Sequence, residues 1–250
     1  MRRIHYESID STNTEARRLA TGNLREPMLV TAAEQSAGRG RHGRQWQSPL
    51  GGAWLSLVWP ARQPPAAYAA VSLAAAVAVL RALRELAARS PGRFQVKWPN
   101  DLLLDDNKVA GILCEQRLGG GVNPEVVIVG VGVNVNFDPA MLPSDLRHPA
   151  TTLNTALGKS FRVDDVINAV AEHLAAALES FESDGLGKGL LTELRDALAY
   201  VGTMRTWTSP AGPIQGRVAG IDDAGRLLLD TPSGRVAYET GEFAEKSESP

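Results

Sequence analysis

The segment from Ala33 to Gly52, AEQSAGRGRHGRQWQSPLGG, most limits the fold that this chain can adopt. Its Gly38-x-Gly40-x-x-Gly43 spacing matches the dinucleotide-binding fingerprint, which functions only where a helix follows the glycine loop. Here Pro49 and a glycine pair follow instead, and the next residues, AWLSLVWP, alternate like a well-buried strand. The acidic residue expected about 20 positions later is also missing. The segment is therefore predicted to be a loop between two strands, and the sequence argues against a nicotinamide site.

Four basic side chains, of Arg39, Arg41, His42 and Arg44, lie in this loop, although the net charge of the 250-residue chain is only -2. A solvated surface loop and a nucleic-acid patch are alternatives, but nucleic-acid patches usually lie in basic proteins. Guanidinium groups bind phosphates and carboxylates in bidentate geometry, and glycines let a loop close over a ligand. We therefore expect a mobile lid, from about residue 36 to 48, whose arginines are unpaired until it orders over an anion such as a phosphate anhydride.

Composition is that of an ordinary globular protein, with 44% hydrophobic and 22% charged residues. The alanine-rich run PPAAYAAVSLAAAVAVLRAL contains Arg81, so we interpret it as a buried helix, from about Ala66 to Arg89, rather than a membrane span. The amino terminus lacks the apolar segment of a secretory signal. Cys114 is the only cysteine and the four histidines are scattered, so neither a disulfide nor a zinc site is expected. We expect a cytoplasmic protein without membrane attachment.

The order of predicted elements indicates an α+β protein. Thr12 and Glu15 have the spacing of a capping box and predict the start of a helix. Strands are predicted in PMLVTAAEQ, FQVKW, NKVAGILCEQRL and EVVIVGVGVNVNF, followed by helices and then by short strands separated by PAGP, DDAG and PSG. We therefore predict a mixed sheet with flanking helices at residues 1–200, a small β-barrel at residues 201–246 and a disordered tail, EKSESP.

A second polar group lies in VKWPNDLLLDDNKVAGILCE, where Lys97, Asn100, Asp101 and Lys108 surround one turn and the strand after it. The alternative for the two lysines is a pair of exposed edge-strand residues that discourage aggregation. Phosphate transfer relies on cations for charge stabilisation and on a carboxylate for metal or proton, which fits this group beside an arginine lid. Gly111 would let a ligand or a neighbouring backbone approach the strand closely.

The motifs STN, EQSAGRGRHGRQW, VKWPND, KVAGIL and GVGVNVN, in this order, resemble the biotin protein ligase (biotin-[acetyl-CoA-carboxylase] ligase) family over nearly the whole chain. The resemblance implies a catalytic domain related to class II aminoacyl-tRNA synthetases and an SH3-like C-terminal β-barrel. It implies an enzyme that uses ATP to convert biotin to biotinyl-5'-AMP. The enzyme then transfers biotin to one lysine of a biotin carboxyl carrier protein domain, of acetyl-CoA carboxylase or a related carboxylase.

The resemblance also implies roles for individual residues, with Lys108, Arg39 and Arg41 as the catalytic cations. The implied biotin-binding residues are Ser11, Thr12, Asn13, Gln35, Arg39, Gly40, Arg41, Lys108 and Gly111. The implied ATP-binding residues are Arg41, Arg44, Trp46, Lys108 and Asn134. Lys97, Asn100 and Asp101 are placed near metal, nucleotide or the carrier lysine without a single assigned role. Mg2+ is expected with the ATP, and no metal ligands are assigned.

Many bacterial members of this family also carry an amino-terminal winged-helix domain that binds DNA. Because STN begins at Ser11, we expect a short form without direct DNA binding, and a homodimer is left open. Two rival functions remain. One is a lipoate or octanoate ligase of the same superfamily, which the arginine lid and KWPND argue against. The other is a non-catalytic biotin sensor, which the full set of lysines and arginines argues against.

Overall fold

The computed structural model describes residues 1–20, 24–87, 92–118, 124–143, 146, 148–209 and 212–244. The strands of its large sheet are β1 (Arg2–Ile9), β2 (Met28–Gln35), β3 (Ala53–Pro60), β4 (Phe94–Lys97), β5 (Asp101–Leu104), β6 (Asn107–Leu118) and β7 (Pro124–Val133). They lie in the order β1-β2-β3-β7-β6-β5-β4. β1 and β2 are parallel, and the other neighbours pair antiparallel, so the sheet is mixed as predicted.

Helices cover both faces of this sheet. They are α1 (Thr12–Leu19), α2 (Val71–Leu86), α3 (Leu153–Leu157), α4 (Val163–Asp184) and α5 (Lys188–Ala197). Side chains alternate between the faces, as expected for strands. Val58 and Ile128 pack with Ala16 of α1, whereas Leu57 and Val129 pack into the larger core under α2 and α4. The alternation read in AWLSLVWP therefore describes a strand that is buried on both sides.

The alanine-rich segment is a core helix, as predicted, but its limits differ from those predicted. A 3-10 helix, Pro65–Ala70, precedes α2, and α2 ends at Leu86, while Arg89 lies outside the described residues. By length and composition alone, Pro65–Leu86 could span a membrane, yet 67% of its most apolar window is buried inside the protein. This burial is the behaviour of a core helix.

The start of α1 is one residue earlier than the capping-box pattern indicates. Ser11 is the N-cap and accepts a hydrogen bond from the backbone of Thr14. Glu15 instead accepts from the Tyr6 hydroxyl, so it does not close a capping box with Thr12. Thr12 is thereby free to turn its hydroxyl toward other buried groups.

Two strands, β1 and β5, were not predicted. β1 has an exposed face and lies at the edge of the sheet, so its apolar signal is weak. β5 has four residues, between two turns, and its identity depends on its pairing with β4 and β6. Cys114 lies on β6 against the core, where burial raises the pKa of its thiol to about 12.

The C-terminal residues form a second sheet, as predicted. Its strands are β8 (Met204–Ser209), β9 (Gly212–Ile221), β10 (Leu227–Thr231), β11 (Gly234–Tyr238) and β12 (Glu242–Phe243). Within the described residues the order β11-β10-β9-β8-β12 is that of an open sheet rather than a closed barrel. Trp207 is its buried centre, with Tyr238 and Phe243 against it. The turn PAGP lies partly, and the tail EKSESP wholly, outside the described residues.

Candidate active site

The floor of the site is a strip of glycines on the face of the large sheet that α1 covers. Gly111 of β6 pairs with Gly132 of β7, and Gly130 of β7 pairs with Ser56 of β3. Because these glycines carry no side chains, an open cavity of about 400 Å³ lies above them. That volume is in the range of small-molecule sites.

The structure brings all of the predicted site residues together around this one cavity. The predicted biotin and ATP contacts that line it are Ser11, Thr12, Asn13, Gln35, Arg39, Gly40, Arg41, Arg44, Trp46, Lys108, Gly111 and Asn134. Lys97, Asn100 and Asp101 line it as well. These residues therefore lie around one cavity, and the role of each residue stays a prediction.

A β-bulge aims Lys108 into the cavity. Residues three apart on a regular strand point to opposite faces, so Lys108 and Gly111 should not share one. The pairing of β5 with β6 shifts between Leu102 and Leu103, and this shift returns Lys108 to the face of Gly111. A Cβ built on Gly111 would lie 3.5 Å from Cε of Lys108. Bulges of this kind re-aim side chains beside active sites.

Lys97, Asp101 and Lys108 form one charged cluster. Nζ of Lys108 lies 2.7 Å from Oδ1 of Asp101, and Nζ of Lys97 lies 3.4 Å from Oδ2. The alternative of exposed edge lysines is wrong, because the Lys97 side chain is only 11% exposed and the Lys108 side chain 23%. β4 is an edge strand, but Lys97 turns inward from it.

This cluster carries net positive charge toward the cavity. Burial would raise the pKa of Asp101, but Lys108 and Lys97 outweigh it and hold that pKa below its usual range. Burial lowers the pKa of Lys97, which Asp101 partly offsets. One carboxylate between two ammonium groups favours an anionic ligand.

The glycine-arginine loop joins β2 to β3, as predicted, and turns through a short 3-10 helix, Arg41–Gly43. The expectation of unpaired arginines is wrong. The Arg39 guanidinium makes a bidentate salt bridge with the Glu115 carboxylate, with Nη1 to Oε2 at 3.0 Å and Nη2 to Oε1 at 3.1 Å. Arg44 Nη2 donates to Oε1 of Glu242 at 2.6 Å, which connects the loop to β12 of the second sheet.

Arg41 is the most enclosed of the three arginines. Burial lowers the pKa of its guanidinium, although the neighbouring Asp101 offsets part of this. Its Nη1 donates to Oδ1 of Asn100, a neutral group, at 3.0 Å. Whether the loop orders when a ligand binds stays a prediction.

Trp46 lies directly on the glycine floor. A Cβ added to Gly132 would lie 2.4 Å from its Nε1, and one added to Gly111 would lie 2.8 Å from its ring. The neighbour at Gly111 is thus an aromatic side chain, and the predicted approach of a ligand there stays a prediction. Nζ of Lys108 lies 5.0 Å from the ring centroid, within cation-π range. Trp46 thus presents an aromatic wall beside the charged cluster.

Asn134 holds an unsatisfied acceptor at the same cavity. Its Nδ2 donates to the backbone oxygen of Thr151 at 3.0 Å. Its Oδ1 is buried and has no partner in the described part of the chain. Because buried polar atoms are nearly always hydrogen-bonded, this oxygen is suited to a donor on a ligand.

Asn13, Ser56 and Glu115 form a buried network beside the cavity. Asn13 Nδ2 donates to Glu115 Oε2 at 2.9 Å, and Ser56 Oγ lies 2.6 Å from Asn13 Oδ1. The sequence analysis missed Ser56 and Glu115. A signal for Ser56 was present, because it is the single polar residue in the apolar strand AWLSLVWP.

Gly130 makes room for Asn13, and Gly130→Ala is expected to raise the KM for biotin, the substrate that the motif resemblance implies, by about tenfold or more. A Cβ there would lie 2.0 Å from Oδ1 of Asn13, so that side chain must move out of the network. A tenfold change corresponds to a loss of roughly 1.4 kcal/mol of binding free energy. The control is Gly189→Ala on α5, where an added Cβ would meet no atom within 4 Å outside the backbone of its own helix. An unchanged KM in steady-state kinetics of Gly130→Ala would contradict the role of Asn13.

His148 is a further cavity residue that sequence reasoning did not select. Its ring stacks on Tyr200 at 6.5 Å, and its Nδ1 is buried without a partner among the residues described. Burial, followed by the charge of Lys97, lowers its pKa to about 4. The imidazole is therefore neutral over the usual working range.

His148→Gln is expected to flatten the pH dependence of stability between about pH 4 and 6.5. In this window the imidazole is protonated in the unfolded chain but stays neutral in the folded protein. The free energy of unfolding of the wild type therefore falls as pH falls from 6.5 toward 4. The glutamine variant lacks this loss. Urea unfolding at several pH values measures it, and parallel curves for the two proteins across the window would refute it.

The described carboxylates do not form a resident metal site. No group of three or more His, Cys, Asp and Glu side chains is arranged to hold a metal within the described residues. The carboxylates lining the cavity, Asp101 and Glu242, pair with lysines and with Arg44. This donor set does not fit a protein-held Mg2+.

The second sheet touches the site at two points. Trp98 Nε1, next to Lys97, donates to the backbone oxygen of Gly225 at 2.8 Å, and its ring contacts Trp207 at 5.3 Å. Glu242 supplies the contact to Arg44. The turn that carries the charged cluster is therefore anchored on the C-terminal residues.

The chain is similar to known ligases along most of its length. The biotin/lipoate A/B protein ligase family matches residues 6–134, and the biotin protein ligase C terminal domain matches residues 204–244. The bifunctional ligase/repressor BirA of Bacillus subtilis is 35% identical over 235 residues, which are 92% of this chain and 70% of that protein. A biotin--[acetyl-CoA-carboxylase] ligase of Paracoccus denitrificans is 35% identical over 236 residues, 93% of this chain and 96% of that protein.

The fold agrees with these matches. A biotin protein ligase from Aquifex aeolicus, in complex with biotin and ATP, superposes with a TM-score of 0.80 at 28% identity over 97% of both chains. Sequence motifs, fold and cavity thus agree, and the chain belongs to the biotin protein ligase family.

Proposed function

We propose that this chain activates biotin with ATP to biotinyl-5'-AMP and transfers the biotin to a lysine of a biotin carboxyl carrier protein domain. The observation that supports this best is the convergence of Lys108, Arg39 and Arg41 on one cavity. Polar buried groups lie at one part of that cavity and an aromatic wall at another. A positively charged centre between two binding ends suits the joining of two anions, a carboxylate and a nucleotide phosphate.

Biotin is placed with its ring against α1 and its carboxylate toward the cations. Thr12, Asn13 and Gln35 can satisfy a polar ureido ring, and Leu55 and Val131 line the cavity with apolar surface. Adenine is placed against Trp46, whose flat face suits stacking, with Oδ1 of Asn134 accepting from its amino group. Arg44 and Arg41 are placed on the phosphates.

In the first half-reaction a biotin carboxylate oxygen attacks the α-phosphorus of ATP, and the bond to pyrophosphate breaks. Lys108 and Arg41 offset the repulsion between two anions and the charge that builds on the phosphate. In the second, the carrier lysine amine attacks the acyl carbon, AMP leaves and the amine loses its proton. Asn100 and Asp101 are placed near that amine, and Lys97 holds Asp101.

Mg2+ is expected to arrive with the nucleotide, held by phosphate oxygens and water, as is usual for this ion. The cavity carboxylates Asp101 and Glu242 pair with lysines and with Arg44, so they would not hold this ion themselves. The carrier domain is the expected macromolecular partner. We place the enzyme in the cytoplasm, where ATP and carboxylases are found.

Biotin-dependent exchange of pyrophosphate into ATP tests the first half-reaction directly. The second is tested by the mass of a carrier domain incubated with ATP and either biotin or lipoate. A carrier that gains lipoate rather than biotin would assign the rival ligase activity. Biotin binding without exchange would assign a sensor instead.

A further inference from the structure

Glu115, Asn13, Ser56 and Thr12 form a chain of hydrogen bonds beside the part of the cavity proposed to bind biotin. The donors and acceptors of this chain can be arranged in only one direction. Its far end is Glu115, whose side chain is 14% exposed and is held by Arg39 and Arg17. Burial would raise the pKa of Glu115, but Asn13, Arg39 and Arg17 together hold it below its usual value. Glu115 is therefore a carboxylate, which can only accept hydrogen bonds.

This acceptor fixes the orientation of Asn13. Both neighbours of Asn13 Nδ2 are acceptors, Oε2 of Glu115 at 2.9 Å and the backbone oxygen of Leu113 at 3.3 Å. The amide nitrogen must face them, so Oδ1 faces Ser56. The fully buried Ser56 hydroxyl must then donate to Asn13, across 2.6 Å.

The same constraint reaches Thr12. Ser56 Oγ lies 2.8 Å from Thr12 Oγ1. A serine hydroxyl has one proton, and Ser56 already donates it in the hydrogen bond to Asn13. The proton in that contact must come from Thr12. The other acceptor near the Thr12 hydroxyl, Oε1 of Gln35 at 3.1 Å, also belongs to the protein. In either arrangement the proton of Thr12 points into the protein and its lone pairs are left for the cavity.

We propose that Glu115 and Ser56 are positioning residues that make Thr12 a hydrogen-bond acceptor only, and that the site thereby selects a ligand with a ring N–H donor. The inference rests on the proposed function, in which that donor is a ureido N–H of biotin. Neither residue lines the cavity. They act on ligand choice through Thr12 and Asn13. Glu115 also holds Arg39, so the readout is a ratio of kcat/KM between two ligands, which cancels an effect common to both.

The test compares biotin with the two cyclic carbamate analogues in which one ureido N–H is replaced by oxygen. The shape is kept, but one analogue brings an acceptor against the lone pairs of Thr12. A ligand that lacks this N–H leaves a polar group of the site unpaired, so we expect wild type to prefer biotin by about 100-fold in kcat/KM. A wild-type ratio near one for both analogues overturns the proposal.

Ser56→Ala and Glu115→Gln should both reduce this ratio to about ten or less. Ser56→Ala removes the nearer of the two protein acceptors for the Thr12 proton and leaves Gln35 Oε1 at 3.1 Å, so the hydroxyl turns to the cavity more readily. In Glu115→Gln the amide can donate to Asn13, whose reversal is then opposed only by the longer contact with the backbone oxygen of Leu113 at 3.3 Å. A ratio of two kcat/KM values cancels any loss of folded enzyme. A wild-type ratio retained in either variant overturns the proposal.

Arg17→Gln is the matched control, because Arg17 contacts the same carboxylate at 2.8 Å and does not line the cavity. Its ratio should stay at the wild-type value, and an equal fall there would overturn the directional explanation. The proposed function fails separately, if wild type shows no biotin-dependent pyrophosphate exchange at all.

Discussion

Lys108→Ala is expected to slow the formation of biotinyl-5'-AMP by about 10²- to 10³-fold, because one pre-placed cation is removed from the charge that develops on the α-phosphate. Such a loss corresponds to roughly 3 to 4 kcal/mol of transition-state stabilisation. Transfer from supplied biotinyl-5'-AMP should stay much closer to normal, since a neutral amine brings no second anion. Asp101 keeps Lys97 as a partner, so the variant leaves no isolated buried carboxylate.

The two half-reactions are timed separately, by pyrophosphate release and by the mass of the carrier. Lys188→Ala, an exposed lysine at the start of α5, is the control for loss of a positive charge. If transfer from preformed adenylate falls as far as adenylation, Lys108 serves both steps or the fold, and the assignment is wrong.

The elements that could be predicted are those with a local signal. The apolar alanine-rich run predicted α2, and alternation predicted β3, because burial against a core selects apolar residues at the positions that face it. The loop around Arg41 could be assigned to a strand connection because proline and glycines follow it. β5 could not be recognised, since four residues between turns carry too little periodicity.

Contacts between distant segments were not predictable in the same way. Arg44 and Glu242 are 198 positions apart, and Arg39 and Glu115 are 76 apart, so no spacing links them. The bulge that turns Lys108 toward Gly111 depends on how β5 pairs with β6. The motifs therefore identified the site's residues, while the network that orients them emerged only from the fold.

Arg41→Gly is expected to weaken retention of the adenylate more than its formation. Burial lowers the pKa of the Arg41 guanidinium, so the bidentate hydrogen bonds that it would donate to the phosphate are largely shielded from water. Truncating one partner of such a pair typically changes the dissociation rate and costs 2 kcal/mol or more, which is about 30-fold. Lys108 still faces the reacting phosphate, so adenylate continues to form. It should then escape and biotinylate exposed lysines of bystander proteins.

The matched control for this variant is His42→Gly, which adds the same glycine one residue further along the loop. His42 has φ of 56°, in the left-handed region that glycine adopts readily, so the change keeps the local backbone conformation. It adds flexibility but removes no guanidinium, and its adenylate should stay bound. Mass spectrometry of bystander protein mixed with carrier, ATP and biotin separates the two effects. Equal bystander labelling by both variants would assign retention to loop stiffness, and labelling of the carrier alone by Arg41→Gly would show that Arg41 does not hold the adenylate.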